Sequence, residues 1–316
     1  MSMRKIVTLF VVMLMSCFAL SAQEIVRSTF RYATRDGQKL YFDRYMLREE
    51  AKSPRPCMIF AYGGGFDGGK RNDEYYLTYF KRLARQGIVV ISIDYRLNLG
   101  YLDLEDGVAA VIEDFNNEVC MSVEDMYTAT KCVIANAKKW KIDTSKIMIS
   151  GSSVGAMAAI QAEWMHCNGH ELSKILPEGF KYAAVIGCAG AIFSTEGKPK
   201  FATNPAPMFL FHGTSDRNIP YDHCAMFGVG FYGSAYIIKQ LQKLNSPYWF
   251  YSAEYADHEL SRTPLKNECD LIIQFINDYV IRGQNLQIRT DVVDLNGEKL
   301  PTHFTVIDYI KANYAF

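Results

Sequence analysis

The sequence predicts an α/β protein, a mostly parallel central sheet with helices on both faces. Two observations carry this. Short continuous apolar runs recur at residues 56–62, 88–95, 147–150, 182–187, 208–211 and 248–251, each the length of a strand buried on both sides. Between them lie segments of helical periodicity, and strand–helix alternation of this kind builds parallel sheets. Composition agrees, because 316 residues with 49% apolar side chains supply enough material to bury a large sheet.

In chain order, residues 1–22 come first. Met1-Ser2-Met3-Arg4-Lys5 is followed by an apolar run and then by the small residues Ala19, Ser21 and Ala22, the three-part layout of a secretory signal peptide. Cleavage after Ala22 is expected, with the mature chain exported to the periplasm or medium and no stable membrane span left, since the apolar core is too short to cross a bilayer. Leu14-Met15-Ser16-Cys17 is a loose lipoprotein-like box. Lipid anchoring at Cys17 is the alternative, set against an apolar stretch that continues through Leu20.

Removal of the signal leaves 32 basic and 34 acidic residues, a net charge of −2. A balance so near neutral gives no electrostatic reason to expect a nucleic-acid partner. Seven cysteines remain, an odd number that requires a free thiol or an intermolecular bridge. None has zinc-ligand spacing, so no metal is implied. Cys57 and Cys188 fall inside apolar runs and read as small buried hydrophobes.

The folded domain is expected over residues 23–282. An antiparallel pair opens it, residues 25–32 and 40–47 around a turn at Asp36-Gly37. Helices are expected over residues 73–86, 122–139, 154–167, 234–244 and 264–280. Gly87 stops the first, and the Ser122-x-x-Asp125 capping pattern opens the second. Residues 283–316, with a turn at Asn296-Gly297, read as an extension packed on the domain.

Gly151-Ser152-Ser153-Val154-Gly155 joins the run 147–150 directly to a helix. This is the G-x-S-x-G pattern in the strand–turn–helix setting that exposes a nucleophilic serine, here Ser153, above a helix N-terminus. Flanking glycines are needed where the turn is tight and other backbone comes close. Upstream, residues 56–62 end in Gly63-Gly64-Gly65-Phe66, whose backbone N–H groups are free to converge on an oxyanion. No Gly-Lys-Ser/Thr follows, so a nucleotide-phosphate loop is excluded.

A carboxylate and a histidine should follow the serine in that order. Asp216, in the turn after residues 208–211, is the expected acid, with Asp222 the next choice. His258, after residues 248–251 and before the last helix, is the expected base. His166 and His170 precede the acid, His223 lies too near it, His303 lies beyond the last helix, and His212 closes a strand.

The ordered set Tyr62-Gly63-Gly64-Gly65, Asp94-Tyr95-Arg96, Gly151 to Gly155, His212-Gly213-Thr214-Ser215-Asp216 and Asp257-His258 resembles the α/β-hydrolase esterases and lipases of the HGGG-loop type, over residues 35–282. The resemblance implies that Gly64, Gly65 and Val154 donate the oxyanion-hole N–H groups. Tyr62 departs from it, standing where the family usually has a histidine that braces the loop. Asp94-Tyr95-Arg96 reads as a structural hydrogen-bond cluster. Phe66, Phe227, Phe231 and Tyr232 are expected to line the substrate pocket.

The expected activity is therefore that of a serine carboxylesterase without cofactor, acting on small or glycan-linked acyl esters. An exopeptidase of the same fold is the alternative within the class, although no substrate-selecting domain precedes the hydrolase unit. A catalytically silent binding protein on the same scaffold is the alternative outside it, although such proteins typically lose the serine or histidine.

Overall fold

The computed structural model describes residues 24–49, 51–97 and 107–313. The expected signal segment 1–22, including Cys17, lies outside them. Ile25–Arg35 (β1) and Gln38–Leu47 (β2) form the opening antiparallel hairpin, with Asp36 and Gly37 in the turn at positive φ. Arg55–Ala61 (β3), Val89–Ile93 (β4), Ile142–Ser152 (β5), Ala184–Cys188 (β6), Met208–Gly213 (β8) and Tyr248–Glu254 (β11) follow, and pair in parallel. The sheet runs β1-β2-β4-β3-β5-β6-β8-β11-β12, the last strand being Gln287–Val293. Ala191–Ser194 (β7), His223–Met226 (β9) and Val229–Gly233 (β10) make a second, three-stranded sheet.

Every residue of β4, β6 and β8 is buried, which is why those runs carry no polar alternation. Glu74–Arg85 (α1) starts where the Asp73 side chain accepts the Tyr75 N–H, and it buries Tyr76, Tyr79, Phe80 and Leu83. Gly87, at φ 78°, turns the chain out of it. β4 and β5 lie on opposite sides of β3, so right-handed crossovers put α1 and the helix that joins β4 to β5 on opposite faces. Such a reversal opens a crevice at the carboxyl ends of β3 and β5, where α/β proteins bind their ligands.

Three expectations are corrected. The second helix, Val108–Trp140 (α2), begins at Gly107 and not at Ser122. Its buried stripe through Phe115, Val119, Ser122, Met126, Thr130 and Val133 runs unbroken across the supposed start. Ser122 Oγ donates back to Val119 O at 2.7 Å inside the helix, and Asp125 faces Arg96. The Ser-x-x-Asp pattern therefore marks an interior polar contact, not a cap.

The segment 264–280 is split into Thr263–Asn267 (α5), Cys269–Phe275 (α6) and a π-helical turn, Ile276–Ile281. The chain leaves helical geometry at Glu268 (φ −106°, ψ 19°). Residues 283–316 do more than pack on the domain, because β12 is the ninth strand of its sheet, parallel to β11 from Tyr248↔Gln287 to Glu254↔Val293.

The remaining helices, Val154–Cys167 (α3) and Ser234–Lys243 (α4), lie where periodicity puts them, and Val306–Asn313 (α7) is added near the C-terminus. Among the described residues no cysteine is paired. Cys57 and Cys188 are fully buried, and burial pushes both thiols up. No described helix is long and apolar enough to cross a membrane.

Truncation after Arg282 is expected to strip β12 from β11 and expose the Ile288 and Val292 contacts. Thermal unfolding should then fall by roughly 5 °C or more, with lower soluble yield, as judged by calorimetry.

Candidate active site

The glycine-rich turn after β5 brings Ser153 to the carboxyl edge of the sheet. Ser153 sits at φ 53° and ψ −124°, backbone that costs a non-glycine residue about 1–3 kcal/mol and persists only where the surroundings enforce it. They do so here. Ser153 N–H donates to Cys188 O at 2.9 Å and Ser153 O accepts Met157 N–H at 2.9 Å, tying the turn to β6 on one side and α3 on the other. A Cβ at Gly155 would stand 2.2 Å from Ala61 O, so the start of α3 lies directly on the end of β3.

That contact also delivers the glycine loop. A Cβ at Gly63 would lie 3.0 Å from Ser153 Cβ. Gly64 adopts φ 154°, where an added Cβ would meet Gly68 O at 2.1 Å, and its carbonyl accepts the N–H groups of Asp67 and Gly68. No acceptor takes the N–H of Gly64, Gly65 or Val154 among the described residues. Tyr62 braces the loop in the place where the resembled family has histidine. Its ring packs on Tyr95 with centroids 4.8 Å apart, its carbonyl accepts the Tyr95 hydroxyl at 2.7 Å, and a Cβ at Gly69 would strike it.

His258 and Asp216 arrive from later loops. His258 Nε2 lies 2.9 Å from Ser153 Oγ, and His258 Nδ1 lies 2.8 Å from Asp216 Oδ2 and 3.1 Å from Oδ1. With Nδ1–H donating to the carboxylate, Nε2 is left to accept the serine hydroxyl. Asp216 is fully buried. Burial by itself would raise its carboxyl, but hydrogen bonds from His212 and His258 hold it well below the usual carboxylate range. Backbone N–H groups of Asn218 and Ile219 add two more bonds, each 2.9 Å. His212 is structural, placed between Ser234 Oγ (2.8 Å) and Ile219 O (3.1 Å) with Asp216 Oδ2 at 3.4 Å. Asp222 instead pairs with Lys239 at the surface.

Several positioning groups have a role that the sequence did not assign. Asp257 accepts the His258 N–H at 2.9 Å, the Arg217 N–H at 2.9 Å and the Arg217 Nε at 2.7 Å, clamping the acid loop to the base loop. The C-terminal segment closes on the same place. Ser215 Oγ donates to Leu300 O, Asn313 Nδ2 donates to Asn218 O at 3.1 Å, and Asn218 Nδ2 donates to Asn313 Oδ1 at 3.2 Å. Burial, with Asp216 next in weight, pushes the Tyr309 phenol up. Tyr76 accepts the Gly63 N–H at 3.4 Å and donates to Ser152 Oγ at 3.2 Å, so one hydroxyl joins the glycine loop to the serine turn.

The four aromatics expected to line one pocket are separated. Phe66 is buried at φ 61°, against Phe115 (5.7 Å) and Tyr95 (6.4 Å). Half-buried Phe231 joins the same cluster through Phe115 and Phe193, each 5.1 Å away. Tyr232, the next residue along β10, points to the other face, against Tyr236 and His223. Phe227 stands in solvent, 98% exposed at the β9–β10 tip. The alternation of side chains along a strand makes adjacent positions poor candidates for one wall.

Solved structures share this fold. Native esterase 2 of Thermogutta terrifontis superposes with a TM-score of 0.56 at 19% identity, over 79% of this chain and 91% of that one. The chain has the α/β-hydrolase fold. Within it, residues 42–192 match the BD-FAE family model, an α/β-hydrolase family. The match spans the glycine loop and Ser153 and ends before Asp216. Among curated proteins, a fumonisin B1 esterase of Sphingopyxis macrogoltabida is 32% identical over 138 residues, 43% of this chain and 24% of its own length. A juvenile hormone esterase of Heliothis virescens is 29% identical over 153 residues, 47% and 23% respectively. The chain thus spans about a quarter of the length of each of these relatives.

Two outcomes follow from the geometry. Gly155→Ala is expected to yield little folded protein by circular dichroism, because its Cβ would meet backbone. Asp216, with its pKa depressed on folding, contributes stability that is fully present above its unfolded value of about 4 and is lost as pH falls below that. Asp216→Asn should therefore show a flatter loss of thermal stability than wild type as pH is lowered through about 4 toward 3.

Proposed function

We propose that this α/β-hydrolase is an exported serine esterase in which Ser153 is the nucleophile, His258 the general base and Asp216 the acid that orients it. One observation carries the reading, the unbroken hydrogen-bonded line from Asp216 Oδ2 through His258 to Ser153 Oγ, at 2.8 and 2.9 Å. His258 Nε2 takes the hydroxyl proton as Ser153 Oγ attacks the ester carbonyl. The imidazolium that forms is stabilised by Asp216, whose charge burial keeps from water. The N–H groups of Gly64, Gly65 and Val154 receive the oxyanion. Return of the proton to the departing alcohol leaves an acyl-Ser153, which water, deprotonated by His258, then hydrolyses.

The expected substrates are small or glycan-linked acyl esters. The Phe66, Phe115, Phe193 and Phe231 cluster beside the glycine loop favours a compact apolar group over a long chain. The Thermogutta terrifontis esterase has been solved with propionate and with butyrate bound, which supports short acyl groups here as well. Export after cleavage at Ala22 rests on the basic, apolar and small-residue order of positions 1–22.

Hydrolysis of 4-nitrophenyl acetate by the purified protein tests the mechanism. Ser153→Ala, Asp216→Ala and His258→Ala are each expected to lower kcat by roughly 10³-fold or more with the fold intact. Full activity in Ser153→Ala ends the proposal, and faster cleavage of aminoacyl anilides than of esters replaces esterase by exopeptidase. N-terminal sequencing of protein recovered outside the cytoplasm should begin at Gln23.

A further inference from the structure

The nucleophile is flanked by two dissimilar borders. One is the phenylalanine cluster that includes Phe66. The other is built from the start of α1 and the turn after His258, and it carries a cation. Arg262 follows the short 3₁₀ turn His258–Ser261, four residues beyond the histidine that reaches Ser153. Its guanidinium lies over the Tyr75 ring with Cζ 4.1 Å from the centroid, and 5.5 Å from that of Tyr76. Tyr76 is the residue whose hydroxyl touches both Gly63 N and Ser152 Oγ. Arg262 is thus connected to the serine turn by two short routes, through His258 and through Tyr76.

The guanidinium is held over Tyr75 and forms a loose ion pair with Asp73, but its hydrogen-bond donors are unfilled. None of its N–H groups donates a hydrogen bond among the described residues. The carboxylate oxygen nearest to it, Asp73 Oδ1, is 3.8 Å away, beyond hydrogen-bond range, and already accepts the Tyr75 N–H at 2.9 Å. The contact with the Tyr75 ring holds the guanidinium in place, and the Arg262 side chain remains 46% exposed. A planar fork with free donors matches a carboxylate, which accepts two parallel bonds. Asp73 sets the charge in place and lowers the attraction without filling the donors.

We propose that Arg262 receives a carboxylate of the substrate, so that the preferred esters carry a free carboxylate near the scissile bond. The proposal rests on the esterase reading and narrows its substrate class.

The test uses two matched pairs of esters on the full mature chain. In one pair the carboxylate is on the acyl side, mono-4-nitrophenyl succinate against 4-nitrophenyl butyrate. In the other it is on the leaving group, 3-carboxyphenyl butyrate against phenyl butyrate. Wild type is expected to favour the carboxylate in one pair, and that pair identifies the side that faces Arg262. Arg262→Gln should then raise KM for the carboxylate ester roughly ten-fold or more beyond any change for its neutral partner. Arg262→Lys should recover part of the loss, because it restores charge but not the fork. Tyr75→Leu, which removes the platform and keeps the guanidinium, should shift the same ratio in the same direction. Absence of a carboxylate preference in wild type in both pairs, or equal loss on charged and neutral esters in Arg262→Gln, overturns the proposal while leaving the esterase reading in place. Hydrolysis of none of the four esters removes both.

Discussion

The placement of Gly155 against Ala61 O is the constraint on which the rest of the site depends. Were α3 to begin even one methyl further from β3, the turn between them would relax, and Ser153 would lose the reason for its unfavourable backbone. The same proximity decides where the glycine loop lies, because that loop leaves β3 at the next residue. Two segments separated by some ninety positions in sequence are thereby set side by side by backbone contact alone. Side chains then refine the arrangement, with Tyr62 and Tyr95 below the loop and Tyr76 bridging it to Ser152.

The acid and base are held by different means. Neither loop is fixed by a close backbone approach to the serine; they are held to each other, by backbone at Gly213, where an added Cβ would lie 2.2 Å from Ala256 O, and by polar contacts. Asp216 receives four donors, the imidazoles of His258 and His212 and two backbone amides, which offset the cost of burying its charge. Asp257 links the two loops from outside, and residues beyond β12 close over the acid loop. Together these contacts set the orientation of the His258 imidazole between Asp216 and Ser153.

Much of this was legible in the sequence, for reasons that can be located. Strands buried on both faces leave unmistrustable apolar runs, and the serine turn has to carry glycine at its flanks because other backbone occupies the space. Order along the chain then selected Asp216 and His258 over the other carboxylates and imidazoles. What escaped was of two kinds. Local patterns were ambiguous where tertiary contacts decided: Ser122 and Asp125 look like a cap, yet Arg96 draws Asp125 into the interior. Contacts between distant segments left no pattern at all, as with Tyr76 and Gly63, Asp257 and Arg217, or Asn313 and Asn218. The edge strand β12 belongs here too: its burial alternates strictly between exposed and half-buried, but one of its three half-buried positions is Thr290 and the apolar Val293 is exposed, so the sequence carries little of that alternation and pairing with β11 makes it a strand.

The order in which the site is assembled along the chain has a consequence for nascent protein. The serine, the loop facing it and both strands that press them together lie before residue 193, whereas the carboxylate, the imidazole and the segment that fastens them come afterwards. A chain interrupted between these halves carries a hydroxyl with no partner to withdraw its proton. On the proposed mechanism, the serine therefore stays without its base for most of synthesis and gains it only when the segment carrying His258 has docked.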